Sequence, residues 1–132
     1  YQQALVIQQL VKDLALPSTV HILPTVRDPD GLAMSSRNAS LSPSEHRQAL
    51  VLVTALGHAR TAIRAGMREA RMLRATLRRL IAAQPDARID YIGIVNAKTL
   101  QPLAQVRGRV AILLAVWIGR TRLIDNLVVD VA

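Results

Sequence analysis

The sequence has 132 residues, enough for one ordinary domain with a sizeable core but not for two full domains. Hydrophobic residues make up 51% of it, yet the longest apolar run, residues 110–118, is far shorter than the roughly 20 residues that span a bilayer, so we expect no membrane span. The lack of cysteine excludes disulfides and thiolate metal sites, and the three scattered histidines lack zinc-site spacing.

Net charge and aromatic content point in different directions. A net charge of +8, with arginine at 15 of the 17 basic positions, favours an anionic partner. Single-stranded nucleic-acid binders stack bases on several aromatic side chains, whereas this chain has two tyrosines and one tryptophan. We therefore keep nucleic-acid binding only as an alternative.

The first predicted element is a helix over residues 1–14. Ile7, Leu10 and Leu14 recur at helical spacing, and further apolar residues beside them predict a helix that is buried on most sides. Gln3 lies on the same stripe, so its amide is aimed at the core or at a cleft. A buried amide needs hydrogen-bond partners, and backbone groups at the helix start are one possible source.

A short strand is predicted next, at residues 19–23, between Pro17 and Pro24. Ligands of open α/β sheets gather beyond the carboxyl ends of strands. The turn sequence Asp-Pro-Asp-Gly at 28–31 delivers the loop Met-Ser-Ser-Arg, residues 34–37, close to that strand end. Two hydroxyls and a guanidinium suit phosphate oxygens, although the same residue types are common in ordinary solvated loops.

Two amphipathic helices are predicted in the middle of the chain. Ser42 can cap the first helix and Glu45 can complete a capping box, while Gly66 is expected to end that helix after about residue 65. A second helix is predicted at 68–83, antiparallel to the first. Its polar side carries arginines that we expect to be solvated: Arg71, Arg74 and Arg78.

The last third of the chain has the pattern of strands. Residues 89–95 and 110–118 predict strands, and a turn at Gly119 leads into a third strand at 122–131 as an antiparallel hairpin. The fold class is therefore α+β, with two antiparallel helices and a roughly three-stranded antiparallel sheet in residues 41–132. Residues 1–40 are predicted to be a separate helix–strand fragment.

Six short segments, spread over nearly the whole chain, match the pattern of one known family. They are Tyr1-Gln2-Gln3, Pro24-Thr25-Val26-Arg27, the block Asp-Gly-Leu-Ala-Met-Ser-Ser-Arg-Asn at 30–38, Leu41-Ser42-Pro43, Asp90-Tyr91 and Thr121-Arg122-Leu123-Ile124-Asp125-Asn126. Together they resemble the pantoate:beta-alanine ligase family, also called pantothenate synthetases. The block at 30–38 is the most specific, because nine consecutive residues agree with this family's form of the phosphate-binding loop of the class I aminoacyl-tRNA synthetase superfamily.

The resemblance implies an ATP-dependent ligase that joins pantoate to beta-alanine through a pantoyl-adenylate, releasing AMP and pyrophosphate. It implies that Gln3 contacts pantoate and that the backbone of Val26 contacts the adenine. The residues implied to hold the ATP phosphates are Met34, Ser35, Ser36 and Arg37, and the last three are the implied catalytic residues, which would stabilise charge on the departing pyrophosphate. Mg²⁺ would bind through the ATP phosphates, with no metal site in the protein. The resemblance further implies a bacterial cytoplasmic enzyme that is a homodimer at full length.

The match also has a clear gap. The family carries a Rossmann-like amino-terminal domain with a histidine-bearing ATP motif, and a Lys-Asp pair before the tyrosine that matches Tyr1. Because the sequence lacks both, we expect a partial enzyme, inactive alone, in which residues 1–40 end the Rossmann-like α/β nucleotidyltransferase domain. We also expect 44–132 to fold alone and 1–38 to exchange amide protons quickly. The alternatives are an arginine-rich anion or nucleic-acid binding module and a non-catalytic interaction domain of the same fold.

Overall fold

A three-stranded antiparallel sheet organises the computed structural model, which describes residues 1–131. Its strands are β1 (Ala87–Asn96), β2 (Gly108–Ile118) and β3 (Thr121–Val131), with β2 in the centre. The loop between β2 and β3 has two residues, and Gly119 at its first position has a φ of +55°, as in type II′ turns. The predicted hairpin is confirmed.

The helices are α1 (Gln2–Asp13), α2 (Pro43–Ala49), α3 (Val51–Arg64) and α4 (Ala70–Ala82), with a 3₁₀ helix at Ser36–Ser40. Both bonds of the predicted capping box are present at the start of α2. The single helix predicted up to residue 65 is instead interrupted at Leu50, whose ψ of −13° departs from the about −42° of a regular α-helix.

The end of α3 is set by Gly66, as predicted. Gly66 has a φ of +98°, a conformation that favours glycine because side chains with a Cβ are strained there. Its N–H donates to the Ile63 carbonyl at 3.0 Å, and the Met67 N–H donates to the Ala62 carbonyl at 2.9 Å. These two bonds form a Schellman motif, which satisfies carbonyls at the helix end and turns the chain towards α4.

Helices α3 and α4 cover one face of the sheet and form the main core with it. The largest side chains that are fully buried in this layer are Leu52, Leu73, Leu77, Ile81, Ile94, Ile112, Ile118, Val106, Val110 and Val116. The predicted α+β class is confirmed. Arg71 and Arg78 are exposed as predicted, whereas Arg74 is half-buried and its Nε atom is enclosed, so the solvated-flank prediction is wrong for Arg74.

The first quarter of the chain departs most from the sequence-based predictions. Helix α1 forms, but none of its residues is buried, and Val6 and Leu10 are 61% and 51% exposed. Residues 19–23 do not form the predicted strand, because no strand among the described residues lies beside them to pair with their backbone groups. The apolar pattern here marks a surface that residues 1–131 leave uncovered. Among residues 1–131, no helix is both long enough and apolar enough to cross a membrane.

Candidate functional site

Residues 26–34 form a tight loop that folds back on itself. The Met34 N–H donates to the Val26 carbonyl at 3.0 Å, and the Asp28 N–H donates to the Leu32 carbonyl at 2.8 Å. Gly31 closes the turn with a φ of +91°, and a Cβ on it would lie 3.1 Å from Val53. Leu32 is only 2% exposed and joins the main core, so the turn is fastened to the body of the protein.

The polar end of the loop follows directly. Ser35 accepts a hydrogen bond from the Arg37 N–H at 3.2 Å and thereby caps the short 3₁₀ helix. Asn38 Nδ2 donates to the Ala33 carbonyl at 3.0 Å, which closes the loop from the other side. The side chains at 34–37 point outwards and are exposed. Among the described residues, none forms an ion pair with Arg37.

Two neighbouring cavities lie near this loop, and loop residues line only the smaller one. The larger, which we call the sheet cavity, measures about 500 Å³ and is bounded by Gln3 at the start of α1 and by Tyr91 on β1. The smaller, the loop cavity, measures about 250 Å³ and is bounded by Ser35 and Arg37. Both share a wall that consists of Tyr1, Arg122, Ile124, Asp125 and Asn126. The loop and the start of α1 therefore face a common partition built mainly from β3.

An ion pair between a partly exposed arginine and a buried aspartate connects the loop to that partition. The Arg27 guanidinium donates to both oxygens of Asp125, from Nη1 to Oδ2 at 2.8 Å and from Nη2 to Oδ1 at 2.9 Å. Nη1 also donates to the Gly31 carbonyl at 2.9 Å. The Asp125 side chain is 1% exposed, and its hydrogen bonds with Arg27 raise the pKa of the guanidinium. This geometry holds the Arg27 guanidinium against β3.

Comparison with known proteins assigns the chain to a family. A model of the pantoate-beta-alanine ligase family matches residues 1–128. The chain belongs to the pantoate-beta-alanine ligase family. The pantothenate synthetase of Moorella thermoacetica is 51% identical over 131 residues, which are 99% of this chain and 46% of the relative. That of Heliobacterium modesticaldum is 49% identical over 130 residues, again 46% of its length.

Solved structures of pantoate-beta-alanine ligases have the same fold. The enzyme of Thermus thermophilus superposes with a TM-score of 0.89 at 42% identity, covering 96% of this chain and 46% of the solved one. The ligase of Francisella tularensis, solved in complex with beta-gamma ATP and beta-alanine, gives a TM-score of 0.59 at 28% identity, covering 96% and 40%. The chain therefore spans about half the length of the ligases that it matches.

The ligase-family residues singled out from the sequence lie around the two cavities, with two exceptions. Gln3 lines the sheet cavity, and Met34, Ser35 and Arg37 line the loop cavity. Ser36 lines a shallow depression on the outer side of the loop. Val26 is 67% exposed and lines none of these cavities, although its neighbour Thr25 lines the loop cavity.

Two residues of the shared wall, Tyr1 and Arg122, and the partner of Arg122 were not singled out from the sequence. Tyr1 donates from its hydroxyl to the Ala97 carbonyl at 2.6 Å, which ties the start of α1 to the β1–β2 connection. Arg122 donates from Nε and Nη2 to Asp90 Oδ2 at 2.9 and 2.7 Å, across the central strand. Asp90 is the extra residue of a β-bulge, which lets its side chain reach Arg122. The available signal was the presence of all three in segments that resemble the family.

A second charged contact joins the turn to α2. Asp30 Oδ2 lies 2.7 Å from His46 Nε2, and Asp30 Oδ1 accepts the Leu32 N–H at 3.1 Å. The hydrogen bond with His46, followed by that from Leu32, lowers the pKa of Asp30. Among residues 1–131, no cluster of three or more metal-binding side chains is found.

Proposed function

We propose that this chain is the carboxyl-terminal part of a ligase that uses ATP to join pantoate to beta-alanine through a pantoyl-adenylate. Membership of the pantoate-beta-alanine ligase family supports this, as does the Francisella tularensis relative with its bound ATP compound and beta-alanine. In the proposal, the complete enzyme is a homodimer in the cytoplasm of a bacterium, and the relatives' remaining length supplies the rest of the ATP site.

The observation that carries the proposal is the unpaired charge of Arg37 at the loop cavity. The other arginine on these cavity walls, Arg122, is already held by Asp90. Arg37 has no carboxylate partner among the described residues, and the Ser35 hydroxyl lines the same cavity. A guanidinium with fixed, unused donors beside a hydroxyl binds phosphate oxygens well.

The two cavities suggest how the substrates are arranged. Pantoate would occupy the sheet cavity, where the Gln3 amide can hydrogen-bond to it, and the ATP phosphates would lie along the loop cavity. A pantoate carboxylate oxygen would attack the α-phosphorus, and the bond from that phosphorus to the bridging oxygen of pyrophosphate would break. The uncharged beta-alanine amine would then attack the acyl carbon, the bond from that carbon to the AMP oxygen would break, and the nitrogen would lose a proton to solvent as AMP leaves.

The proposed roles of the loop follow from where charge develops in the first step. Negative charge grows on the departing pyrophosphate, and the Arg37 guanidinium with the hydroxyls of Ser35 and Ser36 would stabilise it. Met34 would support the phosphates alongside them. For Val26, the backbone would contact the adenine. No nucleophile or general base of the protein enters this scheme, because positioning and charge stabilisation carry it.

The oxygen donors beside the loop fit the Mg²⁺ ion that ATP normally brings with it. Asp28, Ser35 and Ser36 line the shallow depression on the outer side of the loop, and Mg²⁺ prefers carboxylate and hydroxyl oxygens. The ion would remain bound to the ATP phosphates, whose charge it neutralises when bound. Residues 1–131 contain no metal-binding cluster, so the chain would contribute only these oxygen donors beside the loop.

The anion-binding alternative, based on Arg68, Arg71, Arg74 and Arg78, receives less support. The Arg68 guanidinium donates to the Ile63 and Met67 carbonyls at 2.8 and 3.2 Å, so it closes the end of α3. Arg74 is half-buried. Filter binding to single-stranded DNA at low salt tests this alternative, and no retention would exclude it.

The proposal predicts a large kinetic effect at Arg37. In a complete ligase that carries this sequence, Arg37→Ala should lower the adenylation rate about a hundredfold or more, because one fixed donor to the leaving group is lost. Arg37→Lys should recover only part of the rate, since an ammonium lacks the bidentate fork. Pyrophosphate release in a single turnover with ATP and pantoate, without beta-alanine, measures this step.

The matched control for that experiment is Arg71→Ala. Arg71 is an exposed arginine on α4 and lies outside both cavities beside the loop. Its substitution should leave adenylation unchanged, and neither variant should lose much stability, because exposed side chains contribute little to packing. Adenylation by Arg37→Ala at the parent rate would show that the loop is a structural connection.

A further inference from the structure

We propose that the Arg27–Asp125 ion pair is a positioning device that holds the Met34–Arg37 loop in place for catalysis, without either side chain touching a substrate. This inference rests on the proposed function, because it assigns a role toward the same loop. Arg27 and Asp125 are 98 residues apart in sequence, one just before the turn at 28–31 and one on β3. The pair thus joins the loop to the rigid sheet that forms the other wall.

Asp125 is committed to this pair by its surroundings. On β3 it has the same orientation as Leu123 and Leu127, which belong to the main core, so its carboxylate enters the layer between sheet and helices. Its two oxygens receive the Arg27 fork, and Oδ1 also accepts the Asn126 N–H at 2.7 Å. An unpaired carboxylate in such a place is strongly unfavourable, so the guanidinium must stay where Asp125 holds it.

Arg27 transmits that fixed position to the loop backbone. Its Nη1 atom donates to the Gly31 carbonyl, and its own backbone pairs with Ala33 across the turn. The next pair outward is the Met34 N–H with the Val26 carbonyl, and Ser35 follows immediately. Leu32 anchors the same turn, but apolar burial is not directional, whereas a bidentate ion pair fixes both distance and orientation.

The geometry separates this role from direct catalysis. Arg27 lines neither the sheet cavity nor the loop cavity, and both of its terminal nitrogens already donate to the protein. Asp125 borders both cavities, yet its side chain is 1% exposed and its oxygens are occupied. Arg37, by contrast, is exposed at the loop cavity. Any effect of Arg27 on the reaction is therefore indirect, and the loop is the segment whose backbone it holds.

A double-mutant cycle between Arg27 and Arg37 tests this in the complete ligase. Arg27→Lys keeps the charge but loses the fork, and it should lower adenylation about tenfold by displacing the loop. In the Arg37→Ala background, Arg27→Lys should lower the adenylation rate by less than about twofold, because the guanidinium that the ion pair positions is gone. Arg109→Lys is the control, because Arg109 and its partner Asp130 lie at the open end of the β2–β3 hairpin and line neither cavity. This change should have no effect on adenylation in either background.

The outcomes of the cycle are separable. Equal losses from Arg27→Lys in both backgrounds would overturn the positioning role while leaving the proposed function intact. No loss from Arg37→Ala would instead refute the proposed function. The isosteric variant Asp125→Asn should reproduce the same coupling to Arg37, since it breaks the pair from the other side, and a coupling for one partner alone would also overturn the inference.

Amide hydrogen exchange on the 132-residue chain gives a readout independent of activity. Arg27→Lys should speed exchange at the Met34 and Asn38 amides, which close the loop, by about tenfold or more. Exchange in β2 should stay at the parent rate, which shows that the fold is intact. Unchanged exchange at Met34 with the pair broken would show that the loop is held without it.

Discussion

At the scale of single residues, Asp30 links the charge of the turn to folding. Its pKa is lowered chiefly by the hydrogen bond with His46 and then by that from the Leu32 N–H. Because the folded pKa is below the unfolded one, the ionised carboxylate stabilises the fold above the ordinary pKa of an aspartate. This stabilisation is lost as the pH falls through the folded pKa, so Asp30 contributes at neutral pH but not in acid.

We therefore expect Asp30→Asn to lower the free energy of unfolding at neutral pH. The difference from the parent should shrink as the pH falls from 7 to about 3, because the parent carboxyl then becomes protonated and loses its advantage. Urea unfolding across this range measures it, with Asp130→Asn at the exposed end of β3 as the control. A difference that stays constant over the whole pH range would contradict this account.

At the scale of elements, the start of α2 depends on two side chains that serve each other's backbone. The Ser42 hydroxyl accepts the Glu45 N–H at 3.2 Å, and Glu45 accepts the Ser42 N–H at 2.8 Å. The bond from the Ser42 backbone, followed by that with its hydroxyl, lowers the pKa of Glu45. Each bond satisfies an amide that a helix start would otherwise leave without a partner.

Ser42→Ala should accordingly destabilise the chain by about 1 kcal/mol, whereas Ser42→Gly should cost only a few tenths. Ser44→Ala, an exposed serine inside α2, is the matched control and should be close to neutral because it caps nothing. Thermal or urea unfolding of the three variants checks the order. Equal losses for Ser42→Ala and Ser44→Ala would remove the capping role.

At the scale of the whole molecule, the body of the chain and its first quarter differ in how they are stabilised. Helices α3 and α4 bury their apolar faces on the sheet, whereas α1 buries no residue and 19–23 pair with no strand among the described residues. The sequence alone predicts rapid amide exchange over 1–38. The structure shortens the segment that we expect to exchange rapidly to about residues 1–25. Residues 26–34 are bonded to the body of the protein through Leu32 and Arg27.

Hydrogen exchange of the isolated chain should show this division. Amides of α1 should exchange at rates near those of an unfolded peptide, and amides of β2 should be the most protected, because β2 is paired on both sides. Removing residues 1–24 should leave the protection of β2 unchanged. Equal protection of α1 and β2 would show that the first helix is stabilised as firmly as the core.

An element could be predicted from the sequence when the neighbours that bury it lie within the same chain. Helix α4 and the β2–β3 hairpin could be predicted because their apolar patterns are buried against neighbours within the same chain. The strand predicted at 19–23 failed because periodicity reports an apolar face without saying what covers it. The interruption at Leu50 gave no composition signal, since leucine suits the interior of a helix.

The candidate site divides in a similar way. The polar loop at 34–37 could be proposed because its donors are consecutive in the sequence. The wall on the other side of the loop cavity could not be proposed from the sequence. Arg122 and Asp125 are brought to that cavity only by the pairing of β2 with β3. The partner of Arg27 lies 98 residues away, and although Asp125 stands on the apolar side of its strand with Leu123 and Leu127, nothing local identifies Arg27 as its partner.

The bulge at Asp90 determines where strand β1 can lose one residue. On either side of it, β1 alternates regularly, and the extra residue lets Ile89 and Ile92 both face the helices although they are three positions apart. Deleting Asp90 would restore an unbroken alternation and leave every apolar side chain of β1 on its present face, at the expense of the contact with Arg122. Deleting Ile94 instead would turn the remainder of the strand over. A one-residue deletion can therefore be absorbed at the bulge, but not in the paired part of the strand that follows it.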